Sequence, residues 1–489
     1  MKKYYTQKAQ SEYTVKRLQL IMINIEYSYK REGDVKMKKI TVGLMLCLIL
    51  VLTACGGNNN AGTANTAGNN SPKAEGEKDS KEQVTLKLYT NAKGESGEPM
   101  MKLVDAFNAQ SENVKVEHVA LVQNNDSREM LQKLDVLSAS GEKVDLVLLN
   151  NEGFVLERAG NGMLSPLDEF FQANNINPEE EYYRNPLFDG KHYGAMTDAS
   201  FWFVALNENH LKEAGLEVPG FEWTWDDFRD YAKKLANTGK DRSGVYFHTF
   251  GEYANLIAYT DFKNPQMKED GTLLFDDPSF EYWFNLRRAM EVEDKSVKPL
   301  ADILAAKQHW ATDFMNGTAS MLPIAGYALD EAFLNTESYP RDFKITFAPL
   351  PRSSENVEPG LTSISGSFLT IHKNSKNKDA AFEFIRYATM EGAELSGRIP
   401  GWKKADGKTV LDKIIGDKTD LVDKEVLSNT LFNESVRTAG SSEVSVSFQQ
   451  QLKKVAEGGI NKFLLDNSTF EEAQKYMMEE GQKIIDTNK

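Results

Sequence analysis

Val84-Thr-Leu-Lys-Leu-Tyr-Thr90 and Val144-Asp-Leu-Val-Leu-Leu149 bracket the stretch whose reading decides the fold. In the first, Val84, Leu86 and Leu88 alternate with more polar residues, the period of a strand with one covered face. Met101, Val104 and Phe107 then recur at helical spacing, and Val114, Val116 and His118 alternate again. Asp126-Ser127 offers a cap to a helix carrying Leu131, Leu134 and Leu137. The closing apolar run reads as a buried strand. Strand, helix, strand, helix, strand in this order predicts an α/β fold whose parallel sheet is covered by helices. Ligands of such sheets bind beyond the carboxyl ends of the strands, which here are Tyr89 to Lys93 and Asn150 to Phe154.

Upstream the chain changes character. Residues 37–54 begin with Lys38 and Lys39, continue with about fifteen apolar residues and end Leu52-Thr53-Ala54 before Cys55. This is the pattern of a secretion signal followed by a thiol that a lipid occupies. The apolar run is shorter than the roughly twenty residues that span a bilayer stably. Residues 55–82 are Gly, Asn, Ala, Ser, Thr, Lys and Glu with almost no large apolar side chain, so they bury too little surface to fold and read as a tether. Lys30-Arg-Glu-Gly33 is what a purine-rich ribosome-binding sequence spells when translated, so residues 1–36 read as an upstream extension and Met37 as the start. These features predict a lipid-anchored protein on the extracellular face of a cell membrane, in a Gram-positive type of cell.

Residues 1–54 hold 10 of the 57 Lys and Arg and 4 of the 72 Asp and Glu, which leaves a formal charge of −21 on the remainder. So acidic a surface disfavours nucleic acid, whose binding depends on cationic contacts to phosphate. The only cysteines are Cys47 and Cys55, so the folded body has neither a disulfide nor a thiol nucleophile. Roughly 400 residues follow the tether, more than one ordinary core accommodates, which predicts two lobes. Thr224-Trp225-Asp226-Asp227 reads as a capped helix start running to Leu235, Asp379 to Met390 as a second amphipathic helix, and Ser468-Thr469 as the entry to a terminal one. No repeat of fixed period is present.

Four blocks in order carry a resemblance. They are Tyr193 to Leu216 with the Thr224 helix start; Met315-Asn-Gly-Thr-Ala-Ser-Met321 with Ala325-Gly-Tyr327; Ile364 to Ile371 with Ser375 to Ile385; and Ile399-Pro-Gly401. Together they resemble the carbohydrate-type solute-binding proteins of bacterial ABC importers, the group of the maltose-binding protein. The resemblance implies two α/β lobes of the type II periplasmic-binding-protein kind, hinged around a ligand cleft. It assigns about 83–196 plus 352–395 to the first lobe and 197–351 plus 396–489 to the second. It further implies a monomer that takes a sugar or oligosaccharide and passes it to permease subunits without a cofactor. A ligand-sensing lipoprotein of the same fold, reporting to a membrane receptor kinase, is the alternative.

A sugar presents hydroxyls at its edges and CH surface on its faces, so its site needs aromatic platforms beside planar polar side chains. Tyr89, Asn91 and Asp198 match positions where the family places ligand contacts, and Asn150 and Asn151, candidates at the end of the third strand, match a family loop that often holds a tryptophan. Phe154 is the one aromatic available to the loop at Asn150. Of Phe201 and Trp202 only one can face the cleft, and Trp202 is preferred. Tyr327 matches the family's binding-site aromatic, and Ser365 and Gly366 match a turn lining the pocket, Gly366 being explicable also as a backbone requirement. Trp402 follows the Ile-Pro-Gly motif, while Trp310 and Tyr253 are candidates that helix packing also explains. Trp225 and Trp283 are assigned to the cores. Carboxylates cluster in helix first turns rather than as a facing pair, six His are scattered, and no His-Glu-x-x-His, EF-hand loop or phosphate-binding Gly-rich loop occurs, so neither a glycoside hydrolase nor a metal site is predicted.

Overall fold

The computed structural model describes residues 83–91, 97–123, 126–440, 442 and 444–488. The leader, the lipidation site at Cys55 and the tether therefore lie outside the described residues, as do Ala92 and Lys93. In chain order the elements used below are β1 (Val84–Thr90), α1 (Glu98–Gln110), β2 (Val114–Ala120), α2 (Ser127–Ser140), β3 (Leu146–Leu149), α3 (Glu152–Gly160), β4 (Leu164–Ser165), β5 (Ala195–Met196) and β6 (Ser200–Asn207). There follow α4 (Trp225–Leu235), β7 (Ser243–Val245), α5 (Pro278–Arg288), β8 (Ala319–Ala325), β9 (Ile345–Pro349), β10 (Ile364–Ser365), β11 (Phe368–His372), α6 (Lys378–Arg386), α7 (Gln449–Leu465) and α8 (Phe470–Asn488).

The strands named above form one sheet in each lobe, and Leu187–Phe188 with Lys191–His192 make a separate two-stranded ribbon. The first runs β2-β1-β3-β11-β4, with β5 on β11; the second runs β9-β6-β8-β7, with β10 on β6. In the first, β1 pairs parallel with β2 and with β3, as the strand and helix alternation requires, whereas β11 joins β3 antiparallel after returning from the other lobe. The helices start where their caps dictate. Asp126 accepts from the Arg128 and Glu129 amides at 2.8 and 2.9 Å to begin α2. Thr224 and Asp227 bond each other's backbone amides in a capping box that begins α4.

β6 explains how one chain builds two cores. All eight of its residues are buried. Successive side chains of a strand leave opposite faces, so Phe201, Phe203 and Ala205 enter a core continuous with the first sheet, while Trp202, Val204 and Leu206 enter a second core with α4, α5 and α7. Trp225 and Trp283 sit fully buried in that second core, edge to face at 4.9 Å, as assigned from sequence.

Residues 352–365, expected in the first lobe, bond to residues 200–223: Arg352 donates its amide to Trp223 O, Thr362 Oγ1 donates to Trp202 O, and β10 pairs with Phe201 and Ser200. The physical reason is that β6 has unpaired backbone groups beyond β9, and β10 fills them before the chain crosses.

Candidate functional site

Three segments cross between the lobes and are laced together. Thr197 N donates to Ser367 O at 2.9 Å, Ala199 N to Ile399 O at 2.8 Å and Gly401 N to Thr197 O at 3.2 Å. The packing is backbone on backbone. A Cβ at Gly366 would stand 2.1 Å from Asp198 O, and one at Gly401 would stand 2.5 Å from Met196 O. Gly366 thus packs on the crossing backbone, where any side chain would force the segments apart. Ser365 is half-buried and accepts from Trp202 Nε1 at 3.0 Å.

Against this ribbon lies a cavity of about 20 Å³, lined by Asp198, Ser200, Tyr327, Asp330, Arg398 and Ile399 among others. That is room for about one water. Arg398 Nη2 and Nε both donate to Asp330 Oδ2, at 2.9 and 3.1 Å. Asp198 accepts from Thr197 Oγ1 at 2.9 Å. Desolvation by the surrounding protein pushes the Asp330 carboxyl up, against the pull of Arg398. Next to it Glu331, though its surface is exposed, is pushed up to about 7, first by desolvation and then by Asp330. Asp198 and Tyr327 are thus the two sequence candidates that the fold brings to one cavity, joined by Asp330 and Arg398, which the sequence reading missed. The Ile399-Pro-Gly401 motif was the signal that could have led to Arg398.

Tyr327 is half-buried and packs against both cores, and Trp310 meets it edge to face at 5.7 Å. Trp310 is itself 5% exposed, so it supports Tyr327 rather than offering a free platform. Phe250 is the other half-buried ring touching both cores, and it lies nearly parallel to Tyr253 at 6.2 Å. Beside it His248 packs edge on at 4.6 Å and its Nδ1 pairs with Tyr246 Oη at 3.0 Å. Sequence reasoning missed this turn, whose one signal is an aromatic-rich run, Tyr246-Phe-His-Thr-Phe250, directly after a strand.

Several candidates belong to the architecture instead. Trp202 and Tyr253 are each 3% exposed and meet edge to face at 5.7 Å; the Tyr253 hydroxyl donates to Pro323 O and its backbone carbonyl accepts from Trp283 Nε1. Both lie behind the cleft wall because β6 and β8 are covered on both faces. Tyr89 is engaged likewise: it is 4% exposed, and its hydroxyl donates at 3.3 Å to Lys143 O, three residues before β3. Asn91 donates to Ser127 Oγ at 3.1 Å and so ties the end of β1 to the start of α2. Asn151 is the N-cap of α3, accepting from the Phe154 amide at 3.0 Å, and also accepts from Gln450 Nε2 at 3.1 Å. Asn150 is exposed beside it, and Phe154 packs half-buried on the first core. Trp402 donates to Glu181 Oε2 at 2.6 Å, and Lys404 donates to the other oxygen at 2.5 Å. Burial raises the Glu181 carboxyl, but these two hydrogen bonds outweigh it and hold it below the usual range, which makes Trp402 a fastener of the returning chain.

Among the described residues no group of three His, Cys, Asp or Glu is placed to hold a metal ion, and no helix is long and apolar enough to cross a membrane.

Comparison with known proteins agrees with this architecture. A sugar transporter protein of Rhizobium etli, solved in an open conformation, is similar over 81% of this chain and 98% of its own, with a TM-score of 0.66 and 22% identity. An ABC substrate-binding protein of Listeria monocytogenes in complex with cycloalternan is similar over 83% and 99%, with a TM-score of 0.64 and 20% identity. UgpB of Mycobacterium tuberculosis in complex with glycerophosphocholine covers the same shares at a TM-score of 0.63 and 18% identity. These likenesses establish the two-lobed fold. The sequence profile described as bacterial extracellular solute-binding protein matches residues 91–394, more than half of the chain. The chain belongs to the bacterial extracellular solute-binding protein family.

Proposed function

We propose that this protein captures a sugar or short oligosaccharide between its lobes and delivers it, chemically unchanged, to the permease of an ABC importer. The observation that carries this reading is the wall at the crossing: Tyr327, half-buried where both cores meet and backed by Trp310, beside the carboxylates of Asp198 and Asp330 and the Arg398 guanidinium. An aromatic face takes the CH surface of a pyranose, and planar polar groups take paired hydroxyls. Among similar receptors solved with a named solute, the Listeria protein holds cycloalternan and the Mycobacterium protein glycerophosphocholine, which sets a non-sugar solute as the competing outcome.

Lobes joined by a three-segment ribbon move as hinged bodies. We take the lobe exchange to occur at about 196–200, 365–368 and 397–402. Solute contacts available only when both walls meet shift the population toward closure, and closure is what a permease reads. The lipid on Cys55 and the tether to residue 82 confine an otherwise diffusible receptor beside its transporter, and a single acyl chain binds only marginally, so a multiply acylated Cys55 fits this role. The protein acts as a monomer on the extracellular face.

A thermal-shift panel of mono- and oligosaccharides, with glycerophosphodiesters as the competing class, tests the reading. A solute at one hundred times its dissociation constant adds about 2.7 kcal/mol of stability, a shift well outside error. Response to a sugar supports the proposal, and response only to another class overturns it. Mass spectrometry of the membrane-bound protein tests the anchor, expecting diacylglyceryl at Cys55.

A further inference from the structure

The penultimate helix α7 touches both lobes in two different ways. Leu452, Val455, Ile460 and Phe463 build it into the second core, together with Trp202 and Trp225. On the same side Lys453 bonds Glu252 at 2.5 Å, and Gly251 admits the Lys453 and Glu457 side chains, since a Cβ there would stand 2.2 Å from Lys453 Cε. Toward the first lobe the first turn of α7 meets α3 through polar groups and bare backbone. Gln450 Nε2 donates to Asn151 Oδ1 at 3.1 Å. Gly153 lies under the same amide, where a Cβ would stand 2.1 Å from Gln450 Nε2. At the far end of α3, a Cβ on Gly160 would stand 2.2 Å from Ser447 Cβ.

Residues 447–457 thus run through a slot with glycine on both walls. One wall is joined by apolar burial and an ion pair of two largely buried side chains, which hold wherever the second lobe goes. The other is joined by a carboxamide pair, whose net strength is small because water replaces the bond when the surfaces part. The separable side is therefore the α3 side. Every group in the seam belongs to the chain itself, so its formation requires nothing from outside.

We propose that the seam between α3 and α7 is a latch that closes the lobes independently of solute, with Gln450 to Asn151 as its releasable bond and Gly153 setting how near the lobes come. It rests on the reading of two hinged lobes and not on which solute they take. The latch gives the receptor a closed population at rest, and its strength sets what fraction of the protein is open to receive a solute.

Distance measurement between spin labels tests it on the full chain. Cys47→Ser and Cys55→Ser remove the native thiols, and Val136→Cys on α2 with Val292→Cys beyond α5 place labels on side chains 68% and 62% exposed, one in each lobe. Without added solute, double electron–electron resonance should resolve two distances, one at the separation of the present structure. Gln450→Ala should lower that population about two- to tenfold relative to the other, the effect of one net hydrogen bond, and Gly153→Leu should abolish it. Gln449→Ala, which removes a 3.4 Å contact to Gln266 inside the second lobe, should leave it unchanged. A single distance in the parent, or distributions indifferent to Gln450→Ala, overturn the latch. A sugar panel that responds while the distances stay fixed overturns the latch alone, and responsive distances with a silent panel overturn the solute reading alone.

Discussion

The edges that the two lobes turn toward the cleft use the same residue types to opposite ends. At the carboxyl edge of the first sheet, Asn91 donates to Ser127 and Asn151 caps α3, so their polar tips fasten loops to helices. On the second lobe's side, Tyr327 and Phe250 remain half-buried, each touching both cores, with Asp198, Asp330 and Arg398 around the first. The comparison teaches that an aromatic or amide at a strand end acquires a function by what is left over after the fold has used its neighbours. Tyr89 and Tyr327 are both tyrosines near sheet ends, and only one has a face outside the core.

The sharpest way to break this division is to truncate one aromatic from each class. Trp225→Ala removes a fully buried ring from the second core and should cost about 3–5 kcal/mol, read as a lowered urea midpoint. Tyr327→Ala should instead weaken solute binding at least about tenfold, or about 1.4 kcal/mol, measured by titration calorimetry with the solute found in the thermal panel. Its unfolding midpoint should move far less than that of Trp225→Ala; equal losses would place Tyr327 in the core.

A pH profile sharpens the comparison from the second lobe. Burial first and then Arg242 push the His210 imidazole down to about 4, and the neutral ring pairs with Ser320 Oγ at 3.0 Å. Burial and then His309 push His248 down to about 4 as well. In the unfolded chain both titrate near 6.5, so between about 6.5 and 4 the unfolded state binds protons that the folded state refuses. Their contribution is complete above pH 6.5 and is lost as pH falls toward 4. The thermal midpoint should therefore drop across that window, and His210→Asn should flatten part of the drop; an unchanged slope would mean that the ring is hydrated.

The smallest expected effect lies at the first lobe's edge. Asn151→Ala should cost about 1 kcal/mol through loss of the α3 cap, whereas Asn151→Ser should recover most of it, both read by urea unfolding. A large loss of solute affinity in Asn151→Ser would return this residue to the binding site.

Much of the first lobe was legible in the sequence because its signals are local. The alternation in Val84–Thr90, the cap at Asp126 and the buried run ending at Leu149 each occupy one element, and all five elements from β1 to β3 appear where the pattern put them. The crossings were less legible. Asp198, Gly366 and Gly401 were recognisable as a set of motifs, yet that Gly366 packs on the Asp198 carbonyl depends on two strands meeting antiparallel through a third. Asp330 and Gln450 were missed because nothing near them in the chain distinguishes a cleft residue from a surface turn.

By itself the sequence determined the order and type of elements, the two-core requirement, the acidic surface and the absence of thiol chemistry in the body. These follow from composition and from periods of two and 3.6 residues, which short segments carry whole. The tertiary structure decided which polar tips are engaged. The hydroxyl of Tyr89 meets a partner 54 residues away, the indole of Trp202 one 163 away, and the amide of Asn151 one 299 away. Neighbours so distant in the chain are chosen by sheet order and by the packing of α7 into the second lobe. No local pattern encodes that choice, because burial and pairing are properties of the assembled surfaces.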